Sequence, residues 1–172
     1  MFKKTIKKKI HLFIRKPVQD EHFSVENFYF ELFKNFKDRN IEIKFKICPL
    51  ISKGIFNRIY LCIWAFFNQG SINHICGDIN FISIFMNRHK TINTFLDFYS
   101  MKRLKGLKKI VYFTFWIKIP FFKSKSVITI SNKVKRELKI FLGLKKKENI
   151  NTIGICISPN FKRNIKKKIN KK

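Results

Sequence analysis

Two aspartates occupy equivalent places in a sequence that contains few acids. Asp78 ends the stretch S-I-N-H-I-C-G-D, and Asp97 ends K-T-I-N-T-F-L-D, so each follows a short apolar run. The chain has 10 Asp and Glu residues against 38 Lys and Arg residues. A carboxylate that follows a buried strand can orient a hydroxyl group of a ligand, or it can cap the turn that comes next. Both interpretations stay open for both residues.

Other side chains near the ends of predicted strands could also contact a ligand. Arg15 follows the first apolar run and could bind an anion, or it could belong to a solvated basic loop. Gly77 permits a tight turn before Asp78. Ser131 is predicted to cap a helix and could contact a ligand from the same helix end. His74 lies among apolar neighbours, where a hydrogen-bonded core histidine is the alternative to a ligand contact.

The four cysteines show no metal-binding pattern. They stand at positions 48, 62, 76 and 156, without a C-x-x-C pair and without a histidine at metal-ligand spacing. Three of them lie inside apolar runs, which is typical of reduced, buried thiols in a cytosolic protein. We therefore expect no metal site.

Apolar periodicity predicts strands that alternate with helices. Strands are expected at 10–14, 41–47, 71–76, 90–95, 126–130 and 150–155. Helices are expected over 24–36, 55–68, 101–119 and 131–143. This alternation predicts an α/β fold with a Rossmann-like, mostly parallel sheet and helices on both faces. Because right-handed crossovers bring the carboxyl ends of such strands to one edge, where ligands bind, we expect Asp78, Asp97 and Ser131 there.

The length of 172 residues fits one domain. We expect a basic lead at 1–9, one α/β domain at 10–158 and a basic, disordered tail at 159–172. The apolar stretch after the basic start is too short for a signal peptide. No window reaches the roughly 18 uninterrupted apolar residues of a spanning helix. These features indicate a cytoplasmic protein, with any membrane contact peripheral.

A formal net charge of +28 predicts attraction to nucleic acid, anionic lipid or phosphorylated substrates. Lys, Ile, Asn and Phe are overused together, as biased codon usage would produce, so the charge alone names no partner. In segment 102–122, five cations precede an apolar run. This segment could dock on a membrane surface with Trp116 at the interface, or it could pack on the sheet or against another domain.

A series of short stretches carries a resemblance to a known family. The stretches are R-K-P…F-S-V-E-N-F (15–28), I-C-P-L-I-S-K-G (47–54), N-H-I-C-G-D-I-N (73–80), K-T-I-N-T-F-L-D (90–97), L-K-G-L-K-K (104–109), F-W-I-K-I-P (115–120), V-I-T-I-S-N-K-V-K-R-E-L (127–138) and I-G-I-C-I-S-P-N-F (153–161). In this order they resemble the N-terminal half of group 1 (family 4) glycosyltransferases, enzymes of the two-domain GT-B fold. The resemblance covers about residues 10–161.

The resemblance implies a domain that contacts a saccharide or lipid-linked saccharide acceptor in polysaccharide or lipopolysaccharide synthesis. A second domain, or a separate chain, would hold the nucleotide sugar that serves as donor substrate, and no cofactor is implied. The implied catalytic residues are Asp97 and Asp78. The implied substrate-binding residues are Arg15, Gly77, Ser131 and His74.

The sequence departs from the family pattern in three ways. Leu96 stands where many relatives have histidine, and Asn80 stands where relatives often have histidine. The chain also ends where the donor-binding domain would begin, so we expect it to transfer no sugar by itself. The alternatives are an inactive glycosyltransferase remnant and a non-catalytic basic protein that binds nucleic acid. The last is the weaker candidate, because the sequence has no RNA-binding signature, helix-turn-helix or zinc knuckle.

Overall fold

The computed structural model describes residues 8–17, 29–30, 33, 41–144 and 149–154. These residues form a six-stranded, all-parallel sheet with the strand order β2-β1-β3-β4-β5-β6. The strands are β1 (Lys8–Ile14), β2 (Ile41–Ile47), β3 (Ile72–Ile75), β4 (Thr91–Phe95), β5 (Ser126–Thr129) and β6 (Ile150–Thr152). The predicted α/β class with a parallel sheet is confirmed. β1 begins at Lys8, inside the region that the sequence assigned to the basic lead.

Helices connect the strands. They are α1 (Ile55–Phe67), α2 (Tyr99–Arg103), α3 (Gly106–Tyr112), α4 (Ile119–Phe122) and α5 (Asn132–Leu142), with 3₁₀ turns at Asn80–Phe85 and Arg88–Lys90 and a π-helical stretch at Phe113–Lys118. Tyr29, Phe30 and Phe33 have helical backbone, as predicted for 24–36. The rest of that segment, residues 145–148 and everything beyond residue 154, including the predicted basic tail and Cys156, lie outside the described residues.

The helix predicted as one piece over 101–119 is divided into two. Leu104 and Lys105 are extended, and Gly106 has a φ of +54°. Because glycine has no Cβ atom, it adopts a positive φ without steric strain, and the chain can change direction there at little cost. From Gly106 the backbone stays helical through the π-helical stretch to Phe122, and we call this continuous unit helix 106–122.

Alternation along β1 explains why both faces of the sheet are covered. Phe13 points to the face on which α1 packs Leu61 and Ala65. Leu12 and its neighbours on the same side contact Tyr29 on the opposite face. Side chains of this size contribute about 1.5–3 kcal/mol each when fully buried, and together they hold the carboxyl ends of β1 and β3 in fixed positions.

A second apolar cluster anchors the other half of the sheet. It joins residues of β4, β5 and β6 to helix 106–122 and to α5; its buried members include Phe95, Val127, Ile150, Ile117, Phe121 and Leu138. The inner side of helix 106–122 therefore packs in the core. Among the described helices, none is long and apolar enough to cross a membrane.

The three cysteines among the described residues, Cys48, Cys62 and Cys76, are buried and free. Burial raises the pKa of Cys48 to about 12 and that of Cys62 to about 11. The pKa of Cys76 is also raised by burial. These thiols are neutral packing groups at physiological pH.

Candidate functional site

Parallel sheets with this strand order have a crevice between the two strands where the order reverses, which are β1 and β3 here. The chain leaves β1 toward β2 on one side and returns through α1 to β3 on the other side. In parallel α/β sheets with this order, ligands bind outside the carboxyl ends of the two strands where the direction reverses. Arg15 follows β1 at this position, and Gly77 and Asp78 follow β3.

The turn after β3 depends on glycine. Gly77 is buried with a φ of +79°, and a Cβ atom at this position would lie 2.4 Å from Cδ1 and 2.8 Å from Cγ of Leu96. Leu96 therefore packs directly on the glycine. Gly77 has the structural role of permitting this turn.

Asp78 has an unusual backbone conformation. Among the described residues it is the non-glycine residue with positive φ, at 41°. Aspartate tolerates this region better than most residues, although the conformation still costs free energy. Such conformations occur preferentially where a side chain must be aimed at a ligand.

Arg15 and Asp78 are brought together across the crevice. The guanidinium Nη1 of Arg15 lies 3.1 Å from Oδ2 of Asp78, and the two side chains are 29% and 55% exposed. An ion pair this exposed contributes well under about 1 kcal/mol to stability. The pair is better understood as a polar site with one donor group and one acceptor group, both open to solvent.

The side chain of Trp116 is hydrogen-bonded to the backbone of Asp78. The indole Nε1 of Trp116 donates to the backbone oxygen of Asp78 at 3.1 Å. Tyr112 stacks on Trp116 with ring centroids 5.4 Å apart, and the guanidinium of Arg58 lies 4.8 Å from the centroid of the Trp116 ring. Trp116 is half-buried among these groups. Of the two positions that the sequence allowed for this side chain, packing within the protein is therefore favoured over insertion at a membrane interface.

Asp97 reaches the same edge from β4. Its Oδ1 accepts a hydrogen bond of 2.9 Å from the backbone N–H of Tyr99, and the residue is exposed. The pKa of Tyr112 is raised, chiefly by burial and further by the negative charges of Asp78 and Asp97, against a lowering contribution from its hydrogen bond with Ser100. Both aspartates are therefore near enough to Tyr112 for their charges to raise the pKa of its hydroxyl.

Ser131 and His74 have evident structural roles. Ser131 caps α5, because its Oγ accepts a hydrogen bond of 3.2 Å from the N–H of Val134. His74 lies within β3 and packs edge-to-face against Tyr29, with Nε2 2.7 Å from Oγ1 of Thr94. Burial lowers the pKa of His74 to about 4. The structure therefore gives His74 the core position that the sequence also allowed and does not bring it to the edge where Asp78 lies.

Two residues of this site, Arg58 and Tyr112, were not predicted from the sequence. Arg58 is the only charged residue of α1, and this isolation in an apolar helix was a usable signal. Tyr112 stands one turn before Trp116, and the spacing of four residues predicts that the two share a helix face. Neither signal shows that α1 and helix 106–122 meet beside Asp78, because that depends on tertiary packing.

The groups that reach solvent at this edge suit a polar, hydroxylated ligand. Arg15 can donate hydrogen bonds, Asp78 and Asp97 can accept them, and the hydroxyl of Tyr112 is protonated at physiological pH. Within the described part of the chain, no cluster of three or more His, Cys, Asp or Glu residues could hold a metal ion.

No protein-family profile matches the chain, and no curated protein matches it significantly.

Proposed function

We propose that this protein is the acceptor-side domain of a glycosyltransferase of the GT-B type. It would bind a saccharide or lipid-linked saccharide at the carboxyl edge of the sheet. A second α/β unit, in a separate chain or a further domain, would supply the nucleotide sugar. The observation that carries the proposal is that Arg15 and Asp78 lie 3.1 Å apart at the carboxyl ends of β1 and β3, the two strands where the strand order reverses, while Asp97 follows the neighbouring strand β4 at the same edge.

The proposal assigns different tasks to the groups at this edge. Arg15 and Asp78, which lie 3.1 Å apart, would hold ligand hydroxyl groups as donor and acceptor. Asp97 would orient the attacking acceptor hydroxyl and accept its proton. The new bond would form between the acceptor oxygen and the anomeric carbon, while the bond from that carbon to the diphosphate oxygen breaks and the nucleoside diphosphate leaves.

Asp97 also has a local structural role that the proposal must accommodate. One of its oxygens already accepts from the N–H of Tyr99. A carboxylate has about four lone-pair sites on two oxygens, so capping uses part of its capacity and fixes the orientation of the group. Tyr99 is itself 61% exposed and carries the Arg103 guanidinium 5.2 Å from its ring centroid, which extends the polar edge beyond Asp97.

Saccharide binding is the direct test. The labelled 172-residue chain is applied to an array of free and lipid-linked oligosaccharides, with Asp78→Asn and Asp97→Asn as test variants. A matched control is Glu42→Gln, because Glu42 forms an ion pair of the same 3.1 Å length with Lys44 near the start of β2, at the opposite edge. We expect each aspartate variant to weaken binding on the order of tenfold or more, since a hydrogen bond to a charged group contributes about 1.5–3 kcal/mol.

Retention of every bound saccharide by Asp78→Asn and Asp97→Asn would contradict the proposal, as would an array on which nothing binds. We also expect the chain alone to transfer no sugar from any nucleotide sugar. Turnover by the purified chain would show that no second unit is needed.

The two alternatives make different predictions. A nucleic-acid-binding protein would retain RNA or DNA with a steep dependence on salt, and a gel-shift at moderate salt detects this. An inactive remnant would bind no saccharide. In the structure Leu96 packs against Gly77, and its aliphatic side chain can form no hydrogen bond with a ligand.

A further inference from the structure

The outer surface of α1 is apolar although it faces solvent. The inner side chains Leu61, Cys62 and Ala65 are buried against the sheet. On the opposite side a stripe of large hydrophobic residues is between 46% and 84% exposed: Ile55, Phe56, Ile59, Tyr60, Ile63, Phe66 and Phe67. A surface helix normally carries polar residues there, and contiguous exposed apolar surface marks an interaction site.

Helix 106–122 repeats this arrangement. Ile117 and Phe121 are buried in the core. The exposed apolar residues are Leu107, Ile110, Val111, Phe115 and Phe122. Both helices are held on the sheet by their inner sides, so only the outer stripes are available to a partner.

The two stripes belong to one surface. A shallow groove lined by Ile63, Phe66 and Phe85 ends at Lys123. Lys123 also lines the neighbouring groove, together with Phe122 and Lys118. We call the exposed apolar residues of α1 and helix 106–122, with Phe85, the apolar face.

The charges around the apolar face have one sign. Between residues 43 and 136 the acids are Asp78 and Asp97 alone, and both lie in the loops at the carboxyl edge. Neither α1 nor helix 106–122 contains an acid. The cations on or beside these helices include Lys53, Arg58, Arg88, Lys105, Lys108, Lys109, Lys118 and Lys123. Apolar side chains interspersed with lysine and arginine, without acids, complement a negatively charged lipid surface.

We propose that the apolar face docks this protein on an anionic lipid bilayer, with α1 and helix 106–122 lying along the membrane surface. A protein partner fits less well, because lysine is depleted in the centres of protein interfaces, whereas Lys118 and Lys123 line the grooves between the phenylalanines. α1 and helix 106–122 both begin at the carboxyl edge, so docking would bring that edge close to the lipid. This proposal does not depend on the glycosyltransferase assignment.

Vesicle co-sedimentation tests the proposal. The full chain is mixed with phosphatidylcholine vesicles and with phosphatidylcholine vesicles that contain phosphatidylglycerol. Binding to the anionic vesicles alone is insufficient, because a chain of net charge +28 is attracted to any anionic surface. The decisive variant is therefore Phe56→Ser with Phe67→Ser, which removes side chains that are 84% and 77% exposed and leaves the core unchanged.

We expect this double variant to bind the anionic vesicles at least about tenfold more weakly, since the insertion of a phenylalanine into an apolar phase is worth a factor of this order or more. Ile140→Ser is the matched control, because Ile140 is 76% exposed on α5 and lies outside the apolar face. It should bind as the wild type does. Lys118→Gln and Lys123→Gln should each weaken binding about fivefold at low salt.

Equal binding by wild type and the Phe56→Ser, Phe67→Ser variant would overturn the proposal, because attraction by charge alone would then explain the data. Absence of binding to the anionic vesicles would also overturn it. So would a wild-type dimer that this variant converts to a monomer, since the apolar face would then be an interface between copies of the chain. Saccharide binding is measured separately, so failure of one proposal leaves the other intact.

Discussion

Replacement of Gly77 by alanine tests the turn that holds Asp78. The first cost is conformational: Gly77 has a φ of +79°, and an L-residue in the left-handed region costs about 1–2 kcal/mol. The second cost is steric, because the new Cβ would lie 2.4 Å from Cδ1 and 2.8 Å from Cγ of Leu96. Forcing an extra methyl group into a packed site costs about 1–3 kcal/mol. The expected total is about 2–5 kcal/mol of the free energy of unfolding.

Urea unfolding followed by tryptophan fluorescence measures this loss. In thermal unfolding, a chain of this size loses about 2–4 °C in melting temperature per kcal/mol, so Gly77→Ala should melt about 4–20 °C lower. Gly143→Ala is the matched control, because Gly143 also has a positive φ, +63°, but no atom lies within 4 Å of the position that a Cβ would occupy there. Gly143→Ala should lose only the free energy of unfolding that the positive φ costs, about 1–2 kcal/mol.

Leu96→Ala separates the two costs of the Gly77 substitution. That background lacks the three Leu96 atoms nearest to the Cβ position at residue 77, so the steric part of the loss should decrease and show as a coupling energy of about 1–3 kcal/mol between the two positions. If Gly77→Ala is no more destabilising than Gly143→Ala, the contact between Leu96 and the turn does not constrain the protein. The same conclusion follows if the loss is equal in both backgrounds.

Two further substitutions test the residues with structural roles. Burial lowers the pKa of His74 from 6.5 to about 4, so as pH falls the unfolded chain binds the extra proton first, and stability should decrease between about pH 6.5 and 4 by up to about 3 kcal/mol. Urea unfolding over this pH range should show a smaller decrease in the free energy of unfolding for His74→Gln than for the wild type. An equal decrease in both proteins would show that His74 is not the group responsible. Ser131→Ala should lose about 1 kcal/mol of stability as the cap of α5 is removed, whereas Ser131→Asp should restore the cap. Loss of saccharide binding by a stable Ser131→Asp would instead indicate a ligand contact.

Apolar periodicity predicted the strands and most of the helices of the described residues. The strand predicted at 41–47 has those bounds, and the helix predicted over 55–68 spans Ile55–Phe67. The break before Gly106 was missed, because a single glycine in a basic stretch is compatible with either a kink or a continuous helix. The strand order was not predicted, because pattern does not reveal which neighbours β1 pairs with.

The site was partly predictable for a simple geometric reason. In a parallel sheet all strands end at one edge, so residues that follow strands were expected to meet, and Asp78 and Asp97 both lie close enough to Tyr112 to affect its pKa. Side chains that reach this edge from helices were not predictable in the same way. Arg58 and Trp116 meet although they belong to two helices that both pack on the turn Asn80–Phe85, and no local pattern encodes that contact.

Compositional bias and an interaction surface predict different distributions of exposed hydrophobic residues. Biased codon usage enriches Phe, Ile and Lys throughout a chain, so it should distribute exposed hydrophobic residues over the whole surface. In the described part of the chain, thirteen of the nineteen exposed large hydrophobic residues instead lie on α1, on helix 106–122 or at Phe85. Helix α5 belongs to the same protein and faces solvent in the same way, yet its exposed large hydrophobic residue is Ile140 alone. Because bias acts on all three helices and the exposed residues concentrate on two, their placement reflects the surface that those two helices form.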